Sequence, residues 1–116
     1  MGLSVLQIAY YPGLLETRRA MLEDDGYIVT SALGNNQGMD TASTARFDVI
    51  VVGFCASPSV RGSLVSWLKH RVPETPVVVL LAHAMERFPE ADLATFSENP
   101  LDWLAAVRTA CAQSPS

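Results

Sequence analysis

Short apolar runs and longer stretches with helical spacing alternate along the whole chain. Runs of apolar, often β-branched residues predict strands, and they lie at residues 4–9, 27–32, 48–54, 76–82 and 94–97. Apolar residues three or four positions apart predict amphipathic helices between and after these runs. The helices are expected from Pro12 to Gly26, around Met39, from Pro58 to Pro73 and from Pro100 onward. Strand and helix therefore alternate five times.

Two of the runs, residues 48–54 and 76–82, are apolar almost throughout. A strand without polar alternates is buried on both faces, which is typical of a parallel sheet. Parallel strands need crossover connections, and these are usually helices. The order of elements therefore predicts one α/β domain over residues 1–116, with a doubly wound sheet and a disordered tail at 113–116.

Composition excludes several functional classes. The chain has 116 residues, of which 49% are hydrophobic, and two cysteines, too few for a disulfide scaffold. Its longest apolar run, residues 49–56, is far shorter than a membrane helix. Eight basic residues are scattered among twelve acidic ones, for a net charge of −4, whereas nucleic-acid binding usually needs clustered positive charge. We expect a cytoplasmic protein that binds neither membranes nor nucleic acids.

Several framework segments are similar in order and spacing to a known family. The first helix begins at a proline and ends in the acidic segment 23–27. Two apolar strands follow Asp48 and Pro76, and Asn99-Pro100 precedes the last helix. Over about residues 4–112 the chain resembles the receiver domain of bacterial response regulators. The resemblance implies a flavodoxin-like (CheY-like) fold with a five-stranded parallel sheet. The segment between the fourth and fifth strands is shorter than is typical, so the fourth helix is expected to be short or missing.

The chemistry of that family is absent at the matching positions. The resemblance implies an acidic pair after the first strand, a phosphate-accepting aspartate after the third, a hydroxyl residue after the fourth and a lysine before the last helix. The residues found at these positions are Ala9, Tyr10, Gly53, Leu81 and Asn99. Magnesium prefers carboxylate oxygens, and phosphoryl transfer needs a nucleophile. We therefore expect a degenerate pseudo-receiver, not an enzyme, without a metal or other cofactor.

Other side chains stand where the strands end, at the edge where open α/β sheets bind their ligands. These residues are Tyr10, Tyr11, Phe54, Cys55 and His83. The aromatic rings either plug the emptied pocket, which is the favoured interpretation, or line a small-molecule pocket or protein-binding surface. A Cys55–His83 nucleophile is the weaker hypothesis, because no third orienting group is evident.

Three apolar residues are candidates for a protein interface, and one arginine lies on the inner face of the first helix. The short fourth helix would uncover Leu93 and Phe96, and Trp103 lies off the inner stripe set by Leu104, so we expect these residues at a homodimer or other protein interface. Arg18 interrupts the inner stripe of the first helix, and its stem is expected to lie along the sheet edge.

The sequence thus favours a phosphorylation-independent signalling module that acts by protein–protein contact. The alternative is a small-ligand sensor that binds at the strand ends near Tyr10, Gly53 and Cys55. These hypotheses differ in an observable way, because a ligand raises the melting temperature by mass action whereas self-association makes it depend on protein concentration.

Overall fold

The computed structural model describes residues 2–113, which form five strands and four helices. The strands are β1 Ser4–Ala9, β2 Ile28–Leu33, β3 Val49–Val52, β4 Val77–Leu81 and β5 Leu93–Phe96. The helices are α1 Pro12–Asp24, α2 Gly34–Thr44, α3 Pro58–Arg71 and α4 Pro100–Gln113. The tail at 113–116 was expected to be disordered. Residue 113 is the last residue of α4, and residues 114–116 lie outside the described part of the chain.

All five strands are parallel in one sheet with the order β2-β1-β3-β4-β5. This confirms the doubly wound, flavodoxin-like architecture predicted from the alternating pattern. The chain moves outward from β1 to β2, then crosses back to place β3 on the other side of β1. The carboxyl ends of β1 and β3, where Ile8 pairs with Val52, are therefore the switch point at which folds of this type bind ligands.

Helices cover both faces of the sheet and produce two apolar cores. On one face, α2 and α3 pack on residues that include Leu6, Ile8, Ile50 and Val52. On the other, α1 and α4 pack on residues that include Val5, Val49, Val51 and Leu80. Because successive side chains of a strand point to opposite faces, the apolar strands supply both cores at once, as the absence of polar alternates indicated.

Local chemistry explains most helix boundaries. Ser57 caps α3 by accepting a hydrogen bond from the Val60 N–H at 3.2 Å, as its position before Pro58 predicted. Gly26 has φ +97° just after α1, a conformation that glycine adopts without strain. Gly34, with φ +80°, begins α2 directly after β2.

Within the described chain, no helix lies between β4 and β5, and residues 82–92 form an irregular loop. The prediction of a short or missing fourth helix is therefore confirmed. None of the helices over residues 2–113 has the length and apolar character needed to cross a membrane.

The orientation of α4 corrects one prediction. Trp103 was expected to face outward, but it is only 2% exposed and packs in the core with Val107 and Ala110. These three residues are spaced four and three apart and form the inner stripe of the helix. Leu101, near the start of the same helix, is 73% exposed. Trp103 is therefore a core residue and is no longer a candidate for an interface.

Candidate functional site

The candidate site lies at the carboxyl ends of β1 and β3, where Gly53 takes the place that follows β3. The Gly53 N–H donates a hydrogen bond to the Ile8 carbonyl at 2.8 Å, which holds the two strand ends together. Glycine brings no side chain to this buried position. What fills the space beside it therefore decides what this site can do.

The side chain of Arg18, from α1, lies directly beside Gly53. A Cβ atom placed on Gly53 would be 2.8 Å from Arg18 Nη1, and 3.3 Å from the Ile8 carbonyl oxygen. The Arg18 guanidinium also lies over the Phe54 ring, with its carbon 5.3 Å from the ring centre. Only 5% of Arg18 is exposed. The Arg18 side chain is therefore mostly buried beside Gly53, but within the described part of the chain none of its guanidinium nitrogens is a fully buried atom without a partner, so the charged end keeps some contact with solvent.

Arg18 has no acceptor for its charge within residues 2–113, where its side chain makes neither a hydrogen bond nor an ion pair. Burial lowers the pKa of Arg18 below its ordinary value, and the electrostatic effect of nearby Cys55 opposes this. Burial of a charge that has no counter-ion is unfavourable. The site is thus defined by a mostly buried cation that has no protein partner among the described residues.

The aromatic residues at this edge do not form one plug. Tyr10 packs on the α2–α3 side, and its hydroxyl donates to Asn35 Oδ1 at 2.7 Å. Phe54 packs on the opposite side, and Tyr11 is 59% exposed. Burial raises the pKa of Tyr10 to about 12, against the opposing charge of Arg61. The favoured interpretation of an aromatic plug is therefore replaced by an arginine that occupies the space.

Cys55 and His83 are not joined by a side-chain hydrogen bond within the described residues. Cys55 is half-buried and His83 is exposed. Across residues 2–113 no cluster of three or more His, Cys, Asp or Glu side chains is arranged to hold a metal ion.

The last two positions where receiver chemistry was expected are used structurally. Leu81 packs against the core under α3, and its carbonyl accepts the Ser97 N–H at 3.2 Å. The Asn99 side chain accepts the Leu101 N–H at 3.0 Å and so caps the start of α4. Leu81 has no polar side-chain group, and the Asn99 side-chain oxygen is used in the helix cap.

A second buried arginine shows how such a charge is ordinarily satisfied. Arg61, 1% exposed, donates to the Ala56 carbonyl at 2.9 Å, to the Leu80 carbonyl at 3.1 Å and to Glu86. Burial raises the pKa of Glu86, but hydrogen bonds from Arg61 and the Ala82 N–H outweigh this and hold it below its ordinary value. Arg61 is thus fully paired where Arg18 is not.

A groove lies away from this edge, at the amino ends of β1 and β3. It has a volume of about 750 Å³ and is bordered by residues that include Ser4, Arg46, Asp48 and Arg71. The Asp48 carboxylate already accepts from the backbone and the hydroxyl of Ser4, at 2.7 and 3.2 Å. Because its carboxylate is used to join β1 to the start of β3, we favour the strand carboxyl ends as the functional site.

Comparisons with known proteins agree with this architecture. No protein-family profile matches the sequence, and no curated protein matches it. Solved structures do match. A CheY-like receiver domain protein from Methanospirillum hungatei JF-1 is 16% identical, with a TM-score of 0.87 over 98% of this chain and 97% of that one. CheY4 of Vibrio cholerae is 21% identical, with a TM-score of 0.82 over 95% and 99%.

A third structure is the receiver domain of a sensor histidine kinase from Pseudomonas aeruginosa PAO1, solved with a magnesium ion in its active-site cleft. It is 19% identical, with a TM-score of 0.84 over 97% of this chain and 100% of that one. At such low identities the similarity shows the fold alone. The protein described here has the fold of a CheY-like receiver domain, as the resemblance in its sequence implied.

Proposed function

We propose that this protein is a phosphorylation-independent pseudo-receiver, a non-enzymatic signalling module that acts through contacts with other proteins in the cytoplasm. The observation that carries the proposal is the pair formed by Gly53 and Arg18. The acceptor position has no nucleophile, and a buried guanidinium is 2.8 Å from where its Cβ would be.

The electrostatics of this pair oppose receiver chemistry. A magnesium ion at this edge would need carboxylate ligands, but Ala9, the last residue of β1, and Tyr10, the next residue, are not acidic. The buried positive charge of Arg18 would also repel a divalent cation. Neither the metal nor the covalent step of phosphoryl transfer has the groups that it requires.

Contact with a protein partner is supported by the surface around β5. This strand forms one edge of the sheet, and no helix covers it from the loop at 82–92. Phe96 is 45% exposed, Met85 in the preceding loop 85% and Leu101 at the start of α4 73%. Leu93 is half-buried. Exposed apolar side chains of this kind mark interaction sites, and we propose a second copy of this chain as the partner.

Phosphorylation is tested directly by incubating the protein with acetyl phosphate and magnesium, then measuring its intact mass after desalting. We expect no covalent adduct in the wild type. Gly53→Asp, which restores only the nucleophile, should also remain unmodified because the magnesium ligands are still missing. A stoichiometric phosphoryl adduct on the wild-type chain would overturn the proposal.

One observation favours a second function, the small-ligand sensor. The unpaired charge of Arg18 lies at the edge where ligands of α/β sheets bind. The two functions are distinguished by melting curves, because a ligand raises the melting temperature at fixed protein concentration, whereas a dimer makes that temperature rise with protein concentration.

A further inference from the structure

Arg18 differs from the other buried or paired cations of the described chain. Carboxylates pair with Arg19, Arg61, Lys69 and Arg108. Arg18 is 5% exposed, and residues 2–113 give its guanidinium no carboxylate and no hydrogen-bond acceptor. A buried guanidinium has five N–H donors whose hydrogen bonds to water have been reduced or lost. An acceptor from outside the fold would therefore recover much of the desolvation cost.

The surroundings of Arg18 suit an anion. The Phe54 ring supports one face of the guanidinium at 5.3 Å, which restrains its position. Gly53 brings no side chain toward Nη1, where an added Cβ would lie at 2.8 Å. The segments that border this space, residues 9–13 and 53–57, contain no aspartate or glutamate. No carboxylate from these segments repels an incoming anion.

We propose that the sheet edge around Arg18, Gly53 and Phe54 binds a small oxyanion, whose carboxylate or phosphate oxygens accept hydrogen bonds from the Arg18 guanidinium. A guanidinium presents parallel N–H groups that match two oxygens of either ligand. The proposal rests on the ligand-sensor candidate above and names its ligand class. The charge at this site is thus positive and attracts an anion, whereas a receiver that binds magnesium presents negative charge.

The test is reversible anion binding to the whole protein. Melting temperature and titration calorimetry are measured with sodium phosphate and with sodium acetate, each against sodium chloride of equal ionic strength. We expect phosphate, acetate or both to stabilise the wild type in a saturable manner. The two arms distinguish a phosphate ligand from a carboxylate ligand. Saturable binding of neither anion would overturn the proposal.

Two variants remove the site in different ways. Arg18→Met deletes the cation and should weaken binding roughly 30-fold or more, as the loss of a buried charged partner does. Arg19→Met, which changes the adjacent exposed arginine, is the matched control and should bind as the wild type does. Unchanged binding by Arg18→Met, or an equal loss in both variants, would contradict the proposed site.

Gly53→Asp supplies a carboxylate from within the chain and should compete with the added anion for Arg18. We expect this variant to remain folded and to lose anion binding, so it tests the site even if Arg18→Met folds poorly. Retained binding by folded Gly53→Asp would place the anion elsewhere. The acetyl phosphate assay detects only a covalent adduct that survives desalting. A failure of reversible anion binding would therefore overturn this proposal and leave the proposed phosphorylation-independent function to be judged by that assay.

Discussion

At the scale of single residues, the candidate site combines a glycine with a neighbouring cation. Gly53 stands at the position that the sequence resemblance matches to the receiver aspartate, and the Arg18 guanidinium lies beside it. The nearest atom to an added Cβ is the far end of a flexible side chain, which can move. A carboxylate introduced at Gly53 would therefore have the Arg18 guanidinium as a partner.

We therefore predict strong coupling between Gly53→Asp and Arg18→Met. In the Arg18→Met background the new carboxylate has no counter-ion and should destabilise the fold, whereas with Arg18 present the cost should be smaller or absent. The coupling energy should be roughly 1–3 kcal/mol, measured by urea unfolding of the wild type, both single variants and the double variant.

Gly53→Asn is the control for this cycle, because it has nearly the same size as Gly53→Asp without the charge. Its coupling to Arg18→Met should be clearly smaller. If the free energies of Gly53→Asp and Arg18→Met simply add, the two side chains do not interact and the proposed geometry of the site is wrong.

At the scale of elements, the loop between β4 and β5 takes the place of a fourth helix and is tied to α3. Arg61 of α3 donates to Glu86, and Glu86 accepts the Ala82 N–H at 2.8 Å. The Arg61 guanidinium also lies over the Phe88 ring, 4.9 Å from its centre. A short irregular loop can therefore stay in place because a buried ion pair and an aromatic contact hold it.

This arrangement predicts a pH-dependent contribution of Glu86 to stability. Its pKa lies below the ordinary 4.5 in the folded state, so its stabilising effect is fully present above that pH and is lost on further acidification. Glu86→Gln should be less stable than the wild type by about 3 kcal/mol near neutral pH, because it leaves Arg61 without its counter-ion. The difference should shrink as the pH falls below 4.5, measured by urea unfolding across the pH range.

Glu23→Gln is the matched control, since it removes the exposed pair with Arg19, in which the side chains are 46% and 47% exposed. Exposed pairs of this type contribute about 0.5 kcal/mol or less. A Glu86→Gln difference that does not change with pH would show that the carboxylate charge is not what holds the loop.

At the scale of the whole molecule, the two edge strands of the sheet have different surroundings. At the β5 edge, Phe96 is exposed beside the irregular loop and α4, and the nearby Glu90, Glu98 and Asp102 are also exposed. At the β2 edge, Ile28 is 62% exposed. A symmetric dimer through β5 would bring its acidic residues together. We expect such a dimer to be weak and to become stronger as salt screens this repulsion.

Sedimentation equilibrium over a range of protein concentrations tests this prediction. The wild type should form a dimer in the upper micromolar range, and Phe96→Ser should weaken it. Ile28→Ser, at the opposite edge, is the control and should leave association unchanged. A wild type that remains monomeric throughout would exclude the dimer, while a dimer that is insensitive to Phe96→Ser would exclude only this surface.

The sequence alone determined the order of elements, and it showed which residues stand at the positions that the resemblance matches to receiver chemistry. Apolar runs such as residues 48–54 and 76–82 indicate strands that are buried on both faces. Such strands are typical of a parallel sheet with helices on either side. The identity of Gly53 excludes an acceptor carboxylate without any coordinates. The shortened segment after β4 likewise indicated that a fourth helix would be reduced or missing.

Only the tertiary structure decided the orientation and the contacts of Trp103 and Arg18. Trp103 and Leu101 are two positions apart on α4, and a rotation of the helix about its axis exchanges which one is buried. In the sequence, Arg18 was recognisable as a charged residue on the apolar stripe of the first helix. Its contact with Gly53 depends on how α1 packs across the ends of β1 and β3, which is a long-range property that no local pattern encodes.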